Sequence, residues 1–145
     1  MAWVEARHAK ASTRIRVHKI QNMPITTHIL DTSRGIPAKG VRVRLERAST
    51  TTTGAAFAGN GEIEWDFCGE EQSNDDGRTA TLNAGTLVQP CVYRCLFFTG
   101  PYFYATDTPC FHPRIEVIFS ITEATQNLHI PLLVSPFGYT TYKGS

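Results

Sequence analysis

Two histidines a hundred residues apart, His28 and His129, one arginine, Arg78, and the C-terminal run Tyr142-Lys143-Gly144-Ser145 are the residues of this sequence that could do chemistry together. An imidazole titrates near neutral pH and can relay a proton to or from an attacking water. A guanidinium offers a planar fork of donors for paired acceptors. Taken singly, each also has a bland reading. A strand histidine is more often structural or exposed, and one beside Ile130 and Pro131 can simply satisfy a carbonyl. An arginine after a turn glycine is usually solvated, and chain ends fray unless tied down.

Positioning such groups requires stiff elements, and from Ile25 onward the pattern is that of strands. Short runs rich in β-branched and aromatic residues alternate with period two between Gly, Pro, Asn and Asp clusters. Val41-Arg42-Val43-Arg44-Leu45-Glu46 places every second residue on an apolar face, and Ile115, Val117 and Phe119 repeat it. His28 falls on the face of Thr26 and Leu30, opposite Ile25, Thr27 and Ile29. Leu128 to Val134 is more continuously apolar and is expected to be buried on both sides. Ser49–Gly61 and Gly69–Arg78 read as loops, the second closing on Asp76-Gly77, a strong hairpin signal because glycine accepts positive φ. One short helix is expected around Pro101–Thr106, with Pro in its first turn. Seven or eight strands plus one helix predict an all-β sandwich.

Composition narrows the function classes. The chain has 145 residues, 41% hydrophobic and 19% charged, which suits one domain. A formal net charge of +1 gives no electrostatic reason to expect nucleic acid or an anionic membrane as partner. No run approaches the roughly 18 to 20 apolar residues of a membrane helix, and no apolar secretory core opens the chain, so an intracellular protein is expected. Cys68, Cys91, Cys95 and Cys110 are then expected as thiols. Cys91 and Cys95 share a strand-like run that holds them about 13 Å apart, beyond disulfide reach. Residues 1–24, with Arg7, Lys10, Arg14, Arg16 and Lys19 against Glu5, read as a flexible basic extension preceding a domain over residues 25–145. Arg14-Ile15 with Gln21-Asn22 is a near miss to an N-terminal peroxisomal address. No Gly-x-Ser-x-Gly elbow, phosphate-cradling glycine loop or His-Glu-x-x-His helix is present.

Two stretches resemble a known family. Thr27-His28-Ile29-Leu30-Asp31-Thr32, continuing through Gly35, Pro37 and Gly40 to Val41-Arg42-Val43, resembles the first strand and turn of transthyretin-like proteins. His129-Ile130-Pro131-Leu132-Leu133-Val134-Ser135-Pro136-Phe137-Gly138-Tyr139, followed by Tyr142-Lys143-Gly144-Ser145, is similar to the C-terminal signature of the 5-hydroxyisourate hydrolase branch, which typically ends Tyr-Arg-Gly-Ser. Asn74-Asp75-Asp76-Gly77-Arg78 matches that branch's Asp-Gly-Arg turn, and Phe111-His112-Pro113 resembles its aromatic-x-Pro segment. The Thr-rich stretch at 49–61 resembles an insertion.

The resemblance implies a transthyretin-like two-sheet β-sandwich of about seven or eight strands with one short helix, assembled as a homotetramer, a dimer of dimers with sites in the channel between them. It implies cofactor-free hydrolysis of 5-hydroxyisourate to 2-oxo-4-hydroxy-4-carboxy-5-ureidoimidazoline in urate (purine) catabolism. Catalysis would rest on His28, Arg78, His129 and Ser145, with His28, Arg78, Tyr142 and Lys143 binding substrate. The two imidazoles would divide water activation and protonation of the departing ring nitrogen. Because the chain's last residue is the motif's final serine, a tail docked through Tyr142 and Ser145 is expected. Lys143 in place of the usual Arg keeps the charge and loses the bidentate fork. A metal is not implied, although His28 and His129 could capture zinc adventitiously. His8, His18 and His112 lie outside the matched positions. The unstable product makes a decarboxylase partner a pathway expectation, and the compartment is cytoplasmic or peroxisomal. The rival reading is a non-catalytic transthyretin-like carrier, a branch that lacks these histidines, the arginine and the terminal motif; a third is a silent relative whose site is spoiled by Lys143 or the insertion.

Overall fold

A computed structural model describes residues 23–49, 62–123 and 127–145. The basic extension up to residue 22 and all of the Thr-rich stretch but Ser49 lie outside the described residues.

The described chain forms β1 (Ile25–Thr26), β2 (Ile29–Asp31), β3 (Ile36–Pro37), β4 (Arg42–Ala48), β5 (Trp65–Gln72), β6 (Cys91–Phe98), α1 (Gly100–Ala105), β7 (Ile115–Ile121), β8 (Leu128–His129), β9 (Leu132–Ser135) and β10 (Gly138–Thr141). One sheet runs β10-β9-β2-β3, the other β5-β4-β6-β7, and β1 and β8 form a parallel pair. Alternation is the cause of this layering. Ile25, Ile29, Leu132 and Val134 from one side and Val43, Leu45, Cys95, Phe97 and Ile115 from the other meet in a single core. Burying each large aliphatic or aromatic side chain contributes about 1.5–3 kcal/mol against the entropy of ordering. The described residues form a two-sheet β-sandwich with one short helix, the architecture expected from the sequence. The strands exceed the expected seven or eight because several are two- or three-residue pieces.

Several local expectations need correction. Gly69 to Gln72 belongs to β5, paired along β4. These residues read as a loop because they lack apolar groups, but on a sheet edge cross-strand ion pairs substitute, as between Arg44 Nε and Glu70 Oε2 at 2.8 Å. Asp76-Gly77 does not join two strands of one hairpin. Its turn closes on Asn74, and the chain then runs antiparallel beside the N-terminal segment, with Ile29 N donating to Gly77 O (2.8 Å), Thr79 N to Thr27 O (3.3 Å) and Leu82 N to Ile25 O (2.8 Å). The Leu128–Val134 run is not buried on both sides: Leu128, Ile130, Leu132 and Val134 enter the core, while His129 and Leu133 are only half-buried on the opposite face. Pro131, which has no N–H to donate, lies in the break between β8 and β9. The helix starts and ends one residue before the expected Pro101–Thr106, with Pro in its first turn. It is tied to the sandwich by Tyr102, whose hydroxyl donates to the buried Asp31 carboxylate at 2.9 Å.

Candidate active site

Parallel pairing brings the two ends of the domain together. β1 and β8 are in register with Ile25 opposite Leu128 and Thr26 opposite His129. On the other side of the same segment, His28 and Arg78 are antiparallel bridge partners, and beyond β8 His129 bridges Gly144 of the tail. Four neighbouring backbone segments thus run in the order Arg78, His28, His129, Gly144. Directly opposed residues project to the same side of a sheet, and so do residues two apart on one strand. Arg78, His28, Thr26 and His129 therefore share one face. The opposite face of this layer carries Ile25, Thr27, Ile29, Leu128 and Ile130, all buried.

Each candidate side chain has a local cause for its position. Asn74 Oδ1 accepts from the Asp76 and Arg78 amides at 3.0 and 2.9 Å, and Gly77 N donates to Asn74 O at 2.9 Å, a closed turn that delivers Arg78. Gly77 has φ +72°, and a Cβ there would lie 2.4 Å from Ile29 O. Thr27 N donates to Thr79 Oγ1 at 3.1 Å, fixing the Arg78 segment against the His28 segment from the next residue on. Around His129, Thr26 Oγ1 lies 2.9 Å from Nδ1 and Gly144 N donates to the His129 carbonyl at 2.8 Å.

The electrostatics of the row follow from its composition. Partial burial, and then the Arg78 guanidinium, hold the His28 imidazole below its ordinary value of 6.5, while a backbone hydrogen bond to Asp76 and that residue's charge pull the other way. His129 is lowered by burial first, then by Arg78, then by His28. Both shifts favour the neutral ring, which keeps one lone pair and is the form in which imidazole removes a proton. Arg78 is exposed, with its charge available to a ligand over the row.

The residues expected from sequence do not all gather at this row. His28, Arg78 and His129 come together, joined by the backbone of Gly144. Ser145 follows Gly144 and is exposed. Tyr142 and Lys143 instead line a cavity of about 470 Å³ with Phe119, Ile121, Leu128 and Ile130, a groove beside β7 to which the two histidines and Arg78 do not contribute. Thr26 escaped sequence reasoning; its one signal is its place two residues before His28 on the same strand face. His112 lies elsewhere, edge-on to Phe111 and Tyr139 with centroids at 4.8 and 5.1 Å. His8 and His18 lie outside the described residues. Among the described residues, no three His, Cys, Asp or Glu side chains cluster as metal ligands would.

Residues 25–144 match the model of the HIUase/Transthyretin family. The chain belongs to that family. It is 37% identical to the mouse 5-hydroxyisourate hydrolase over 125 residues, 86% of this chain and 98% of the mouse protein. It is 38% identical over 141 residues to the uric acid degradation bifunctional protein TTL of Arabidopsis thaliana, covering 95% of this chain and 42% of that longer protein. Among solved structures it is similar to the 5-hydroxyisourate hydrolase of Klebsiella pneumoniae, with a TM-score of 0.66 and 32% identity over 85% of this chain and 99% of the other. Sea bream transthyretin in complex with thyroxine gives a TM-score of 0.70 at 26% identity, over 83% of this chain and 94% of the other. A hydrolase and a hormone-bound carrier match the fold about equally, so function has to be argued from the site.

Proposed function

We propose that this chain is a 5-hydroxyisourate hydrolase of urate degradation and that its active site is the row of Arg78, His28 and His129. The observation that carries this reading is their registered placement on one face, where burial and Arg78 favour the neutral form of both imidazoles. The names borne by the mouse and Klebsiella relatives support it.

Water adds to the C6 carbonyl of the substrate, and the adjacent ring carbon–nitrogen bond then breaks. One neutral imidazole accepts a proton from the attacking water; the protonated ring so formed, or its neighbour, returns a proton to the departing nitrogen. Arg78 orients the carbonyl-rich ring through its planar donors and offsets the negative charge that grows on the attacked oxygen. From the tail, Ser145 is the residue that follows Gly144 beside the row, whereas Tyr142 and Lys143 face the separate groove beside β7 and act on substrate only if the assembly brings that groove to a site; the proposed chemistry needs no cofactor or metal. The carrier reading is the weaker one, because a hydrophobic hormone gives no use for two neutral imidazoles beside a guanidinium.

The assembly is a homotetramer, a dimer of dimers. Supporting it, β7 and β10 each end a sheet, and among the described residues neither has a strand beyond it. Such edges offer unpaired N–H and C=O groups to a second copy. No helix among the described residues is long and apolar enough to cross a membrane. The proposed compartment, cytoplasmic or peroxisomal, rests separately on the partial match of Arg14-Ile15 and Gln21-Asn22 to a peroxisomal address.

The deciding measurement is the ultraviolet decay of freshly generated 5-hydroxyisourate with wild type and with His28→Ala, Arg78→Ala and His129→Ala, each checked for folding. Acceleration by wild type and its loss in well-folded variants is expected. Decay no faster than in buffer would sink the enzyme reading and turn attention to ligand carriage.

A further inference from the structure

The His129 ring is held from both flanks. Nδ1 and Cδ2 are the two ring atoms bonded to Cγ, so together they define the sides of the imidazole nearest the backbone. On the Nδ1 side stands the Thr26 hydroxyl, at 2.9 Å. On the Cδ2 side lies Gly144, so near that a Cβ there would be 2.6 Å from Cδ2. Only the distal edge, Cε1 and Nε2, is left for chemistry.

Which nitrogen carries the proton then depends on Thr26. A threonine hydroxyl has one proton to give and can accept as well. Thr26 Oγ1 also lies 3.5 Å from the Leu128 carbonyl, a long contact, but to an oxygen that can only take that proton. With its proton directed there, the hydroxyl presents a lone pair to Nδ1. We propose that Thr26 is a positioning residue that fixes His129 as the Nδ1–H tautomer and thereby leaves Nε2 as the basic nitrogen of the site. The protein has to supply this acceptor, because an unconstrained histidine side chain prefers its proton on Nε2 and would then show no lone pair on its free edge. His129 is thus the ring preset to take the proton from water. This assignment of a catalytic part rests on the hydrolase reading above; the tautomer itself does not.

The test uses the full chain labelled with ¹⁵N at histidine, comparing wild type, Thr26→Val, which keeps the shape and removes the hydroxyl, and Thr26→Ser, which restores it. Long-range proton–nitrogen spectra at neutral pH read the tautomer directly. Wild type and Thr26→Ser are expected to show His129 protonated at Nδ1, and Thr26→Val to move the proton toward Nε2. In turnover, Thr26→Val is expected to lower kcat roughly 5- to 10-fold, the size of one lost hydrogen bond, with KM within about twofold and recovery in Thr26→Ser. The acid limb of the pH profile should move as well, since His129 shares its surroundings only with Arg78 and His28 among the groups that perturb it. If Thr26→Val fails to fold, Thr26→Ala serves in its place. Wild type protonated at Nε2, or a tautomer unmoved by loss of the hydroxyl, overturns the proposal. Wild type protonated at Nδ1 without turnover of 5-hydroxyisourate instead overturns the hydrolase reading and leaves Thr26's hold on the ring standing.

Discussion

The backbone of Gly144 lies against the imidazole of His129, with its amide donating to the His129 carbonyl at 2.8 Å and no room between them for a methyl group. A tail that would otherwise fray is thereby docked onto the strand that carries a proposed catalytic ring. Gly144→Ala is expected to lower kcat/KM at least about tenfold by displacing the tail or turning the ring; a misplacement of about 1 Å can cost on the order of 100-fold. The melting temperature should change little, because Gly144 lies outside the sandwich core. Kinetics and a thermal scan on the same sample separate the two, and a fall in melting temperature that accounts for the lost activity would contradict a local effect.

Gly77 couples the turn to the strand differently. Its positive φ is costly for any side chain, and a Cβ would collide with Ile29 O, the strand residue next to His28. Gly77→Ala is expected to destabilise the fold by roughly 1–3 kcal/mol and to displace Arg78. Chemical denaturation measures the first effect. The second appears as a KM increase in the protein that remains folded, and an unchanged KM would argue that Arg78 reaches the substrate without the turn.

How legible an element is in the sequence depends on the kind of force that holds it. Strands with one buried face declare themselves, as Val43 and Leu45 or Ile115 and Val117 do, because burial imposes period two. The polar end of β5 is held by Arg44 and Glu70 and gives no such signal. Two-residue strands are too short for a period, and parallel pairing of Thr26 with His129 across a hundred residues is a tertiary event. The site divides in the same way. His28, Arg78 and His129 stood out through resemblance to a family motif. The use of Thr26 and the need for glycine at 144 follow only from knowing which backbone lies beside His129.

Arg78 should set the pH response. Removing its positive charge favours the protonated form of both imidazoles, so both rings would titrate at higher pH. Arg78→Met is expected to move the acid limb of the kcat/KM profile upward while lowering its plateau, which a profile on each protein would reveal. An acid limb that stays in place would mean the limb belongs to another group. Stability has its own sign. Because the folded rings sit below their ordinary value of 6.5, the folded chain binds fewer protons than the unfolded chain in the window just beneath it. Stability from these rings is full above that value and falls as pH drops through the window to the folded values, then levels off. Both rings are only partly buried, so the effect on denaturation midpoints should be small.

Cys95 makes a final, independent check on the core. It sits fully buried in β6, opposite Leu45 and Val117, and burial pushes its thiol up to about 12. A thiol alkylates as the thiolate, so Cys95 lacks both the reactive form and access. Cys68, Cys91 and Cys110 are each only partly buried. Iodoacetamide on the native protein at mildly alkaline pH, followed by peptide mass mapping, is expected to modify these three at widely different rates and to leave Cys95 unlabelled until denaturant is added. Labelling of Cys95 in the native state at a rate comparable to the others would mean that β6 opens far more readily than a strand between β4 and β7 should, and the sandwich packing described above would have to be revised.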